Sequence, residues 1–249
     1  VDTDSSLHSA NYKYLNIIIH TNYIHMKNKF LYLIVALVMF GFTAMSQTEG
    51  ISFGLRGGVN FQNINGKDMN GDKLELKMIP GFNVGVVVEI PVAPEFYFQS
   101  GLLYTTKGAK SDNFQGTGIS VKYNPSYIEL PLNMLYKPVL GSGHLLLGFG
   151  PYVAYGIGGK AKINSNEDKI VYTKEYSSLL PYGDKAYLKH LDFGGNLFFG
   201  YELSNGISFQ LNTQLGMAKI NADNTNVLYT NSKTSFKNTG FGLSLGYMF

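Results

Sequence analysis

A chain of 249 residues with no cysteine, 15% charged residues and a formal charge of +3 excludes a disulfide scaffold, a thiolate nucleophile, a Cys-ligated metal and a basic nucleic-acid surface. Its 29 Gly, 18 Tyr and 17 Phe suit short strands and turns better than helices. The length allows one or two domains, and the composition favours one built from strands.

Residues 1–25 carry Ile17, Ile18 and Ile19 but neither a basic start nor a cleavage site, and are read as an over-long translation start. Met26 opens an export signal: Lys27 and Lys29, an apolar run from Phe30 to Phe42, then Ala44-Met45-Ser46 before Gln47. That run is shorter than the about 17–25 residues of a membrane-spanning helix. Residues 26–46 are therefore expected to be a cleavable signal peptide, and 47–249 the mature domain.

From Ile51 the chain alternates, with Phe53, Leu55, Val59 and Phe61 on one face and Arg56, Gly58 and Asn60 on the other. A second strand sets Phe82, Val84, Val86, Val88 and Ile90 against Asn83, Gly85 and Glu89. The third sets Phe96, Phe98, Leu102 and Tyr104 against Tyr97, Gln99, Gly101 and Lys107. The fourth, Ile128 to Tyr136, puts Glu129 and Asn133 on its polar face. The fifth runs from about His144 to Lys160, the sixth from Leu191 to Tyr201 with Asp192, Asn196 and Glu202 opposite its apolar face, and the seventh from Ile207 to Met217. Ser204-Asn205-Gly206 between the last two has hairpin chemistry. The eighth, Lys237 to Phe249, carries Phe241, Leu243, Leu245, Tyr247 and Phe249 on one face.

Loops alternate long and short. The stretches 62–76, 108–121, 161–189 and 221–235 are long and polar, and the three connections between them are tight. Even strand number, this rhythm, a glycine-rich polar face and aromatics near strand ends predict an all-β, eight-stranded antiparallel up-and-down transmembrane barrel, both termini periplasmic. Phe96, Phe98, Tyr136, Tyr201, Tyr247 and Phe249 would form one aromatic girdle, and Phe61, Tyr104 and Tyr155 the other.

The segments GLRGGVNF (54–61), PGFNVGVVVEIP (80–91), GLLYTTKGAK (101–110), YIELPLNMLYKP (127–138), GFGPYVAYGIGGK (148–160) and the terminal GLSLGYMF together resemble the PorT-type outer-membrane β-barrel family. The resemblance implies an outer-membrane barrel of Bacteroidota-type Gram-negative bacteria, in a family whose founding member is linked to protein secretion and gliding. Resemblance to outer-membrane proteins also implies that Phe249, with Tyr247 before it, is read by the barrel-assembly machinery. The partners expected are therefore outer-membrane lipid, that machinery and envelope or secretion-system proteins, with no nucleic acid and no cofactor.

Catalytic candidates are few. His190 and Asp192 fall two apart on a strand, with Ser177 and Ser178 in the adjoining loop, which is the residue set of a hydrolase. The carboxylates Glu89, Glu129 and Glu202 and the cation Arg56 are expected instead to form a polar network filling the interior, with Arg56 pairing to Glu89 across the first hairpin. Asp68-Met69-Asn70-Gly71-Asp72 resembles a calcium loop, but Lys73 stands where that loop requires glycine. No metal site is expected. The leading expectation is a non-enzymatic barrel acting through its outer loops. The alternatives are an outer-membrane hydrolase using His190 and Asp192, or a soluble lipocalin-like barrel with its apolar face turned inward.

Overall fold

The computed structural model describes residues 50–180, 185–229 and 231–249; the expected translation start and signal peptide lie outside the described residues. Eight long strands follow: β1 (Ser52–Lys67), β2 (Ile79–Ala93), β3 (Phe96–Thr106), β4 (Val121–Tyr136), β5 (Gly143–Ile163), β6 (Leu191–Glu202), β7 (Ile207–Gly216) and β8 (Ser235–Met248). Each pairs antiparallel with the next. β8 then pairs with β1 from Gly54↔Met248 to Lys67↔Ser235, closing the sheet on itself. Closure removes the free edge that an open sheet would leave unsatisfied in lipid.

The strand faces follow the alternation, with the apolar face outward. Leu243, Leu211, Leu197 and Phe149 are 53%, 55%, 58% and 63% exposed, while Asn60, Gln99, Asn133 and Ser244 point inward and are buried. A band of large apolar side chains running round the outside is what a soluble barrel cannot carry in water and what a lipid-facing surface requires. The lipocalin-like alternative is thereby corrected: its apolar face would have had to line the interior.

Aromatic pairs border this band. Phe96 stacks on Tyr136 (4.8 Å) and Tyr247 meets Phe249 edge-on (5.2 Å) toward the short-turn end. Phe61 stacks on Phe241 (5.4 Å) and Phe82 lies against Tyr104 (5.6 Å) toward the long-loop end. The short turns use local chemistry: Glu95 (φ 64°) turns β2 into β3, and Gly206 (φ 85°) closes the β6–β7 hairpin.

Several strands run farther than the greasy face indicates. β1 reaches Lys67 rather than Phe61, β4 begins at Val121 rather than Ile128, and β5 extends for 21 residues to Ile163. The physical reason is that the pattern inverts where the strand leaves lipid. On β1 the outward residues change from Phe61 to Asn63 and Asn65, while the inward ones change from Asn60 and Gln62 to Ile64, which is 1% exposed. The hydrogen-bond ladder continues, but the outside is now wet and the inside dry.

That dry interior belongs to a cap folded from the long loops. Ile64, Leu74, Phe114, Tyr123, Ile170 and Ile220 are among the residues of one buried apolar cluster at this end. Two short parallel pairings bind the loops together, Glu175–Tyr176 with Asp223–Asn224 and Tyr187–Leu188 with Val171–Tyr172. Asp223 receives hydrogen bonds from Lys189 (2.7 Å) and Lys219. Burial alone would raise its carboxyl, and the two ammonium groups outweigh that and hold it below the usual carboxylate range.

Candidate functional site

The barrel interior is built from inward positions of all eight strands, and charge concentrates there at two levels. Toward the long-loop end, Lys107 follows β3 by one residue and turns inward. Its backbone N–H donates to the Pro125 carbonyl (3.0 Å), and Gly108, at φ 135°, passes so close to β4 that a Cβ would lie 1.9 Å from the Tyr123 carbonyl oxygen. Only glycine fits this step. The Lys107 ammonium is fully buried, 2.9 Å from Glu129 and 3.1 Å from Asp192. It lies 4.1 Å from the centre of the Tyr152 ring and 5.5 Å from that of Tyr127. Gln214 donates to Glu129 (2.6 Å) and Asn238 to Asp192 (2.9 Å). One lysine thus ties β4, β5 and β6 to the end of β3, with β7 and β8 joined through the two carboxylates.

Toward the short-turn end, Lys137, just after β4, lies 3.0 Å from Glu89 of β2 and 2.9 Å from Glu202 of β6, across the lumen. The expected Arg56–Glu89 pair is corrected to a relay. Arg56 donates to the Gln99 side-chain oxygen (2.8 Å), and Gln99 donates to Glu89 (3.0 Å). In the β1–β2 register Arg56 faces Gly85 and Glu89 faces Ser52. The two charges are offset by four residues, about 13 Å along the strand, too far for direct contact. Between the two levels the residual cavity is about 40 Å³, lined by Arg56, Asn60, Asn83 and Asn196 among others, room for a few waters.

The hydrolase candidates are not brought together. The Asp192 oxygens are engaged by Lys107, Asn238 and Tyr152. His190 is half-buried, its Nδ1 2.8 Å from the Gly156 carbonyl oxygen, and its ring stacks on Tyr155 (4.5 Å) and Tyr172 (4.8 Å). Ser178 is held by Asn224 of the neighbouring loop. The histidine is an element of the wall-to-cap packing, without the acid–base–nucleophile contact that acyl transfer needs. Asp68 likewise spends one carboxylate oxygen on the backbone N–H groups of Asn70, Gly71 and Asp72 (2.9, 3.0 and 2.9 Å), closing its own turn.

Sequence reasoning found the carboxylates and Arg56 and placed Lys107 on the polar face of the third strand, but assigned neither Lys107 nor Lys137 to the network. A signal existed. Lys107 lies two residues beyond Thr105 and Lys137 two beyond Leu135, both on the inward phase, and four inward carboxylates need more than one inward cation.

Comparison with solved structures gives low-identity neighbours. The outer membrane protein OprG from Pseudomonas aeruginosa is 14% identical with a TM-score of 0.42, covering 80% of this chain and 95% of its own. Ail, the attachment invasion locus protein of Yersinia pestis, is 13% identical with a TM-score of 0.37, covering 81% and 100%. A major outer membrane protein from Thermus thermophilus is 13% identical with a TM-score of 0.36, covering 81% and 100%. No curated protein matches the chain. Residues 45–222 match the outer membrane protein beta-barrel domain family, a stretch well over half of the chain. The chain belongs to that family, and its barrel is an outer-membrane barrel.

Proposed function

We propose that this protein is a non-enzymatic outer-membrane component that works through its loop cap, as an adhesion, scaffold or secretion-associated element. The observation that carries this reading is the division of labour inside the barrel. The lumen is occupied by two buried ionic centres with a cavity of about 40 Å³ between them, while the long loops pack onto a buried apolar core that they share with the strand ends. A filled eight-stranded interior offers no route for general diffusion, and a packed cap is a surface pre-organised for contact. The PorT-type resemblance of six segments points the same way, toward an envelope or secretion-system partner. Export through the 26–46 signal and insertion by the barrel-assembly machinery complete the proposal.

Because the chain has no cysteine, one introduced thiol is a unique handle. In intact cells a membrane-impermeant, thiol-directed crosslinker is expected to give discrete protein adducts from Thr225→Cys in the cap and none from Glu95→Cys in a short turn. Adducts from Glu95→Cys with none from Thr225→Cys would place the working surface on the other side and overturn the reading.

A further inference from the structure

Cross-strand pairing on the outer wall above the apolar band puts like charges side by side. Lys77 bridges Lys110, Lys110 is in register with Lys122, and Lys122 with Lys162. Ala109, Val121 and Ala161 beside them point into the cap core, so these lysines point away from the barrel axis. Directly opposed like charges destabilise a sheet. Here there are three such pairs in succession. Asp112 neutralises Lys77 (2.6 Å), and Glu167, which stands opposite Lys162 in the register and closes the row, forms its ion pair with Lys160 (2.6 Å); Lys110, Lys122 and Lys162 have no carboxylate within ion-pair distance among the described residues. The field of the row reaches its surroundings. The Glu167 carboxyl is held below its usual range first by the Lys160 hydrogen bond and also by Lys162 and Lys122.

We propose that this lysine row binds the phosphate groups of anionic glycolipid in the outer leaflet. Height and direction favour lipid over a soluble anion. Ile157 and Ile128 are the last large apolar outward residues on β5 and β4; Lys162 follows the first by five residues and Lys122 precedes the second by six. At about 3.3 Å per residue and a tilt of about 45°, the backbone of the row stands about 12 to 14 Å above the last apolar residues, from which lysine side chains extending down the wall reach the charged headgroup layer. The side chains project sideways into that layer, not upward from the cap. Lysine is a flexible point charge suited to phosphate, and its stem can lie along the wall while the ammonium reaches a headgroup. The proposal rests on the outer-membrane placement and is independent of what the cap contacts.

The test is retention of lipid by the folded, detergent-solubilised chain, read by native mass spectrometry. Bisphosphorylated lipid A is expected to be retained at least about ten-fold better than its dephosphorylated form, and the triple variant Lys110→Gln, Lys122→Gln, Lys162→Gln to lose that preference, each surface lysine contributing on the order of a several-fold factor. The triple Lys→Arg variant is expected to keep it. Equal retention of the two lipids by the unaltered protein overturns the proposal without any variant. So does full displacement of the lipid by inorganic pyrophosphate at equal phosphate concentration, which would assign the row to a free anion, or tighter binding of a soluble sulfated polysaccharide than of lipid A.

Discussion

Lys107→Met is expected to destabilise the barrel by about 3–5 kcal/mol, because it leaves Glu129 and Asp192 buried in the lumen without their shared cation. The residue is fully buried, and the adjoining cavity that Glu129 lines has room for only a few waters, far from the full hydration of two carboxylates. The loss would be read as a fall in the urea midpoint for unfolding from lipid vesicles, or in the temperature at which the compact band disappears in heat-modifiable electrophoresis. Lys160→Met is the control. Its ion pair with Glu167 is solvent-exposed, and the change is expected to stay within about 0.5 kcal/mol. If Lys107→Met unfolded together with the unaltered protein, the lysine would be a passenger in the lumen rather than its organiser.

Leu243→Arg is expected to cost about 2–4 kcal/mol in lipid. Leu243 lies midway along the outward face of β8, paired with Val59 on one side and Leu211 on the other, all three exposed apolar residues. A guanidinium there would sit at the depth where hydrocarbon is thickest. The same substitution at Lys122, on the outward face of β4 beyond the apolar band, preserves charge in a wet layer and is expected to be neutral within about 0.5 kcal/mol. Reconstituted variants unfolded by denaturant from thin bilayers measure both. Equal stability of Leu243→Arg and the unaltered protein would contradict the lipid-facing assignment of the outer wall.

The barrel was legible in the sequence because a strand in lipid has one strict requirement, an apolar outward face, and period-two alternation displays it without reference to any partner. Phe241, Leu243, Leu245 and Tyr247 announced β8 this way, and the tight turn at Ser204-Asn205-Gly206 announced its own hairpin. The same signal was silent above the membrane. Asn63 and Asn65 on β1 read as loop, and Lys122 and Asn124 fell outside the fourth strand, because the outward face there meets water, although the ladder carries on through them. The cap core was hidden for a related reason. Its residues come from separated segments, Leu74, Phe114, Ile170 and Ile220 among them, and none of those segments alternates over a length that marks a buried face.

The interior was half legible. Inward carboxylates stood out against apolar neighbours, but which cation meets which carboxylate depends on how strands on opposite walls are staggered, and that is not a local property. Lys137 reaches both Glu89 and Glu202 only because β2 and β6 face each other across the lumen at its height. Arg56 and Glu89 looked like natural partners on one hairpin, and the register parted them. His190 and Asp192 failed for the opposite reason: adjacency on a strand is local, but each side chain is claimed by a different layer, the cap aromatics for one and the buried lysine for the other.

A closed lumen is the claim on which the functional reading turns, and ion conductance measures it directly. Inserted into a planar bilayer at moderate voltage, the unaltered protein is expected to leave the membrane at its baseline current, since Lys107 and Lys137 with their carboxylates occupy the two levels through which ions would have to pass. Stable, stepwise openings from the folded, unaltered protein would contradict that account and make the barrel a channel.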